Sequence, residues 1–150
     1  MKTINKIMVA VDFSDYSFLA AQYASNLAKD VSASLLLTNV FNQEDIDTMD
    51  RAVRRFPIFN LKEYVDEKLS DRRERLEALV KKIDIGKIEV DLNVCIGIPY
   101  EALLKEIKEK KPDLLIMGIK GRSNLIDVVT GSCALRMFRR SPIPLLTIRE

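Results

Sequence analysis

Three of the five glycines in this 150-residue chain, Gly118, Gly121 and Gly131, lie within 14 residues, and Ser132 follows the last of them. Glycine after a strand lets a ligand approach the main chain, and a second glycine permits a tight turn. The unpaired N–H groups, the dipole and the serine hydroxyl at the start of the next helix would all favour an anion. The segment is therefore a candidate phosphate site.

This segment matches neither of the common phosphate-binding fingerprints. It has no Gly-Lys-[Ser/Thr] and no G-x-G-x-x-G. Lys120 and Arg122 lie inside it and would screen further phosphate charge. Glycines after a strand also serve loop geometry alone, so from the residues alone both readings stay open.

The amino-acid composition excludes several classes of catalytic site and of binding partner. The chain has no histidine, which excludes a Ser-His-Asp triad, a Cys-His dyad and a His-ligated metal built within it. General acid–base catalysis near neutral pH would fall to a carboxylate, Lys, Tyr or Cys with a shifted pKa. The 24 basic and 22 acidic residues give a net charge of +2, too small for a nucleic-acid binder.

The two cysteines, Cys95 and Cys133, lie far apart and form no CxxC pair. This pattern suits a reducing compartment better than a disulfide scaffold or a thiolate zinc site. No signal peptide and no run of about 20 apolar residues is found. We therefore expect a cytoplasmic protein with neither a membrane nor a nucleic acid as partner.

Five segments read as strands from their apolar, β-branched runs: 4–11, 34–40, 88–95, 114–117 and 142–148. Four helices are predicted between them, at 15–29, 61–83, 99–111 and 132–140, with Ser14 as the first N-cap and Pro99 in a first turn. Residues 41–60, which contain Pro57, read as a long, less regular connection with room for a short helix.

Strands that alternate with helices predict one α/β domain over residues 1–150, doubly wound around a mainly parallel sheet. The alternating pattern of 88–95 and the prolines at the start of 142–148 assign both segments to sheet edges. Ligands bind such folds at the carboxyl ends of the central strands. Here those ends are Asp12, Val40 and Gly118.

The glycine spacing, with the serine after it, resembles the G-x2-G-x9-G-[S/T] nucleotide motif of the universal stress protein family. Three further segments resemble the same family in the right order. They are the first strand and its aspartate (Ile7 to Ser14), the fourth strand (Leu114 to Gly118) and the closing strand (Ser141 to Ile148).

The resemblance implies a five-stranded αβα sandwich of the adenine nucleotide alpha hydrolase-like, Rossmann-like type, and a homodimer through the last strand. It also implies that the protein binds ATP, with magnesium expected alongside, as a regulatory module in the stress response whose protein partners are unknown. The implied cofactor-binding residues, with adenosine contacts first and phosphate contacts last, are Ala10, Val11, Asp12, Val40, Met117, Gly118, Gly121, Arg122, Gly131, Ser132, Cys133 and Ala134.

Two residues depart from the family pattern. Lys120 stands where many members carry His, and Ala134 stands where some carry a hydroxyl. The first favours anion binding over hydrolysis, and the second removes one hydrogen bond to phosphate. Two other functions stay open: a slow ATPase, for which Asp127 is the candidate carboxylate, and a nucleotide-independent interaction protein.

Several of these residues also have a purely structural interpretation. Asp12 can cap the turn into the first helix, and Ser14 is expected to be an N-cap rather than a ligand. Cys133 is expected to be a small packing residue, with a low-pKa thiol as the alternative. The charged run from Arg72 to Arg75 reads as a solvated helix face.

Overall fold

The computed structural model of the protein describes residues 2–120 and 132–149. Its elements in chain order are β1 (Lys6–Ala10), α1 (Asp15–Val31), β2 (Ser34–Asn42), α2 (Gln43–Arg55), α3 (Leu61–Lys82), β3 (Val90–Gly97), α4 (Pro99–Lys110), β4 (Leu114–Gly118), α5 (Ser132–Arg140) and β5 (Leu145–Ile148). All five predicted strands and all four predicted helices are present.

The five strands form one sheet in the order β3-β2-β1-β4-β5, and every neighbouring pair is parallel. The predicted edge positions of β3 and β5 are confirmed. The strand order reverses between β1 and β4, so their carboxyl ends form the switch point where ligands bind such sheets.

Helices cover both faces of the sheet, as the αβα prediction requires. One core lies under α1 and the second half of α3, where Ala20, Ala24 and Leu76 pack against Val9 and Leu37. The other core lies under α4 and α5 and contains Leu103, Ile107 and Met137 together with Met8 and Leu115. Neighbouring residues along a strand point to opposite faces, so Met8 and Val9 serve different cores.

The expectation for residues 41–60 was wrong in extent. Most of this stretch is α2, a helix of 13 residues rather than a short helix within an irregular connection. The Asn42 side chain accepts a hydrogen bond from Glu44 N–H at 3.0 Å, and acidic residues occupy the first turn. Ile46 is the one buried residue of α2, and with Met49 and Val53 it forms an apolar stripe at helical spacing that the sequence analysis missed.

Local sequence explains the other helix boundaries. Ser14 Oγ accepts from Ser17 N–H at 3.2 Å, which confirms the predicted N-cap. Pro99 occupies the first turn of α4, and Lys111 ends that helix in a left-handed conformation with φ 54°. Among the described residues, no helix is both long and apolar enough to cross a membrane.

Candidate functional site

Most of the predicted site residues that the structure describes meet at the carboxyl edge of the sheet. Ala10 ends β1, Met117 and Gly118 end β4, Val40 lies near the end of β2, and α5 begins at Ser132. The residues of this group that pack on the α4/α5 face of the sheet are Ala10, Val40, Met117, Cys133 and Ala134. Gly121, Arg122, Gly131 and Asp127 lie outside the described residues.

Val11 departs from the predicted arrangement. Its side chain is 3% exposed and packs in the opposite core, under α1 and α3. The side chain therefore cannot line a pocket on the α4/α5 face, and only the main chain of Val11 reaches the sheet edge. Residue parity along β1 explains this, because Ala10 and Val11 point to opposite faces.

The β1–β2 ladder ends abruptly beside these residues. Val11 N–H donates to the Thr38 carbonyl at 2.8 Å, which is the last main-chain bond between the two segments. The Val11 carbonyl then accepts from Asn39 Nδ2 at 2.7 Å instead of from the main chain of Val40. The buried side-chain amide of Asn39 thus takes the place of the next main-chain hydrogen bond of the ladder, and the two strands separate at this point.

The gap exposes one residue's main chain. In a parallel ladder, alternate residues direct both N–H and C=O to the same neighbouring strand. Leu35 bonds toward β3 through Glu89, whereas Thr38 bonds toward β1 through Val11. Val40 has the parity of Thr38, so its N–H and C=O point into the gap where β1 has ended. The gap therefore offers the N–H of Val40 as a donor and, beside it, the Val40 carbonyl, which also accepts from Arg72 Nη1 at 3.4 Å.

Arg72 of α3 holds this arrangement from the other face. Its Nη1 donates to Asn39 Oδ1 at 2.9 Å and, more distantly, to the Val40 carbonyl at 3.4 Å. Its guanidinium carbon lies 4.5 Å from the centre of the Phe41 ring. The interpretation of the 72–75 run as a solvated face was therefore wrong for Arg72. The missed signal was its spacing, since Arg72 falls on the helical stripe of Leu76 and Leu79.

Arg75 likewise contacts the turn after β1. Its guanidinium carbon lies 4.0 Å from the centre of the Phe13 ring. Phe13 adopts φ 65°, a left-handed conformation that costs a non-glycine residue about 1 kcal/mol or more. Asp12 stabilises the turn, because its Oδ1 accepts from both the N–H, at 3.0 Å, and the hydroxyl of Ser14. The structural interpretation of Asp12 is thus confirmed, and its contact with a ligand stays a prediction.

Cys133 is a packing residue in an acidic environment. Burial, and then the nearby Asp12 carboxylate, raise the pKa of its thiol to about 11, while Arg136 opposes the shift. The alternative of a low-pKa thiol at the start of α5 is therefore wrong.

Gly118 is required for a different reason from the one predicted. A Cβ on this residue would lie 2.6 Å from the Cβ of Tyr16 and 2.9 Å from its carbonyl carbon. The space beside Gly118 is therefore filled by the first turn of α1. Close packing of helix on strand therefore demands glycine here, and contact of Gly118 with a ligand stays a prediction.

Positive charge borders the site on the side of α5. The guanidinium carbons of Arg136 and Arg140 lie 4.5 and 5.2 Å from the centre of the Tyr100 ring. Tyr100 belongs to the first turn of α4, so the contact joins the two helices of this face. Within the described residues, no group of three or more Cys, Asp or Glu side chains could hold a metal ion.

Comparison with known proteins identifies the family. The sequence pattern of the universal stress protein family matches residues 3–149. The chain belongs to that family. One curated relative, Universal stress protein MJ0531 of Methanocaldococcus jannaschii, is 25% identical over 97% of this chain and 82% of its own length.

Solved structures share the fold of this universal stress protein. Protein MJ0577 of the same archaeon superposes with a TM-score of 0.84 at 20% identity, over 99% of this chain and 98% of the other. A universal stress protein in complex with cAMP gives 0.62 at 23% identity, covering 99% and 98%. One from Archaeoglobus fulgidus in complex with dAMP gives 0.58 at 15% identity, covering 99% and 100%. The predicted Rossmann-like αβα architecture is thereby confirmed.

Proposed function

We propose that this universal stress protein binds an adenine nucleotide, with ATP as its ligand, and acts as a regulatory module in the stress response. The observation that carries the proposal is the open gap at Val40. Its main chain presents N–H and C=O side by side, and adenine presents an acceptor, N1, beside a donor, the 6-amino group. The small side chain of Ala10 leaves room for the base between β1 and β2.

The proposed phosphate contacts rest on the glycine motif, which contains Gly121, Arg122 and Gly131. The first turn of α5, which follows the motif, consists of Ser132, Cys133 and Ala134. A helix N-terminus attracts phosphate through its unpaired N–H groups. Arg136 stands one turn further along the helix and adds a cation. Mg²⁺ would bind through the phosphates themselves, as it commonly does in nucleotide sites.

Binding rather than catalysis is the activity best supported. The chain has no histidine, and Cys133 stays protonated at neutral pH. Relatives of the fold solved with cAMP and dAMP carry adenine nucleotides. The two free cysteines fit the cytoplasmic location that we propose with this function.

The test is mass spectrometry of nucleotide released from the purified protein, with thermal shift in millimolar Mg·ATP. Gly131→Val should abolish the shift by blocking the approach of phosphate to the main chain. Ala10→Leu should also abolish the thermal shift, because the larger side chain would fill the pocket for the base. Ala52→Leu, on the exposed face of α2, is the matched control and should leave the shift unchanged. If no adenine nucleotide is released and ATP leaves the melting temperature unchanged, the proposal is wrong.

We also propose that the protein forms a homodimer through β5. The carbonyls of Pro144 and Ile148 accept from Leu115 and Ile119, so the residues with their parity face β4. Leu145 and Thr147 therefore direct their N–H and C=O groups outward at the free edge of the sheet. An unpaired edge of this kind is a template for pairing with a second copy.

A further inference from the structure

Three large apolar side chains are exposed at one place, the connection between α2 and α3. Phe56 is 59% exposed, Ile58 is 88% exposed and Phe59 is 60% exposed. They occupy three of the four consecutive positions 56–59, with Pro57 as the fourth, so they surround a turn rather than line a flat face. We call residues 51–62 the tip. Clustered exposure of this kind marks an interaction site.

The turn at the centre of the tip is open to solvent. In α3, the first buried residue is Leu76. In α2, the only buried residue is Ile46. The Tyr64 ring of α3 already contacts β2, since its centre lies 6.4 Å from that of Phe41. Residues 54–60, which precede this contact, are all exposed, so the turn between α2 and α3 lies in solvent at the carboxyl edge of the sheet.

Charge is segregated along the same hairpin. Residues 51–62 contain four cations and no acid, whereas residues 43–50 contain four acids and no cation. The one cation of the tip in a described ion pair is Arg54, which contacts Asp50 at 3.2 Å. The tip therefore presents net positive charge around its apolar side chains, and the acids lie toward the sheet.

We propose that the tip docks on the surface of an anionic lipid bilayer as a peripheral contact. Phe56, Ile58 and Phe59 insert at the level of the headgroups, where aromatic side chains are favoured. Arg51, Arg55 and Lys62 meet the negative surface potential. A bilayer surrounds an exposed turn on all sides, whereas a flat protein surface would cover only part of it. This departs from the expectation of no membrane partner, which considered only a spanning or signal segment.

The test is co-sedimentation with vesicles of phosphatidylcholine containing about 30% phosphatidylglycerol, and with phosphatidylcholine alone, at about 50 mM and about 500 mM NaCl. The protein should partition into the anionic vesicles at low salt only. Ile58→Asp should lower the partition coefficient more than tenfold, and Arg55→Gln about fivefold. Tyr23→Ser, which removes a half-exposed aromatic from α1, should leave it unchanged.

These substitutions lie on exposed residues, so equal thermal unfolding midpoints will show that each variant is folded. Absence of binding to anionic vesicles overturns the proposal, as does equal binding by Ile58→Asp. Self-association that depends on Ile58 without vesicles would assign the tip to a second copy of the chain. Salt-independent binding to phosphatidylcholine alone would also contradict the role of the arginines.

Discussion

The guanidinium of Arg72 lies 2.9 Å from the side-chain oxygen of Asn39, at the point where β1 and β2 part. The amide of the same Asn39 holds the Val11 carbonyl. One buried asparagine, 1% exposed, thus connects α3 to the end of β1 and keeps the main chain of Val40 turned into the gap. We infer that the Arg72–Asn39 pair keeps open the gap in which the adenine base would bind.

The first prediction concerns that pair. Arg72→Met should lower the free energy of unfolding by about 1–3 kcal/mol, because it leaves a buried amide oxygen without this donor. Asn39→Ala and the double variant complete a cycle measured by urea unfolding. We expect a coupling energy of at least about 0.5 kcal/mol between the two positions. Strict additivity would mean that the two side chains act independently.

A second prediction concerns Gly118. Gly118→Ala should destabilise the protein by at least about 2 kcal/mol, because the new Cβ meets the side chain and main chain of Tyr16. Tyr16→Ala should not rescue it, since the Cβ and carbonyl of residue 16 remain. Thermal unfolding measures both effects. A Gly118→Ala protein of normal stability would contradict the packing described here, and the clash makes Gly118 unsuitable as a test of nucleotide binding.

These two predictions show where the sequence was sufficient and where it was not. Apolar runs, Ser14 and Pro99 located the strands and most helix starts, because local pattern decides those features. In the sequence, Asn39 is one residue of a strand and Arg72 is one charge of a helix surface. They lie 33 residues apart, so only the tertiary structure shows that their side chains are hydrogen-bonded. The reason for Gly118 depends equally on where α1 packs. The helix α2 was missed in extent because its acidic first turn read as a polar connection, although Ile46, Met49 and Val53 stand at helical spacing.

Stability should fall in acid through Asp113. Its carboxylate accepts from Asn5 N–H at 2.8 Å and Lys6 N–H at 3.0 Å, and Lys2 Nζ lies 3.1 Å away. The hydrogen bond from Asn5, against the opposing effect of burial, lowers the pKa of Asp113 below its ordinary value. Its contribution is therefore fully present above the unfolded pKa, about 3.9, and is lost as the pH falls through the lower folded pKa.

The matched variant is Asp113→Asn, compared with the unaltered protein by thermal unfolding between about pH 2 and pH 7. The difference in melting temperature should be constant above about pH 5 and should shrink below about pH 4. A difference that stays the same down to the lowest pH would show that the charge of Asp113 is not what stabilises the N-terminal strand.

Both thiols should react slowly. Burial raises the pKa of Cys95 and of Cys133 to about 11. At pH 8 their thiolate fraction, and with it the alkylation rate, should be lower than that of free cysteine by about a hundredfold. Mass-resolved labelling with iodoacetamide measures each site. Rapid labelling of Cys133 in the folded protein would contradict its described environment.

The dimer proposal gives a prediction at Thr147. Thr147→Pro removes an outward N–H from the free edge of β5 and leaves the bonds to β4 intact, because those belong to residues of the other parity. Light scattering after size exclusion should show a monomer, with the unaltered protein dimeric. Leu146→Pro is the contrasting variant, since it removes an inward bond and should impair folding. A dimeric Thr147→Pro protein would place the interface elsewhere.

The most direct test of the central claim is calorimetric titration with ATP and with ITP. ITP keeps the ribose and phosphates, but its base presents N1–H and a carbonyl where adenine presents an acceptor and an amino group. If Val40 reads the base through its N–H and C=O, ATP should bind at least about tenfold more tightly than ITP. Equal affinities for ATP and ITP, or no heat from ATP at millimolar concentration, would contradict it.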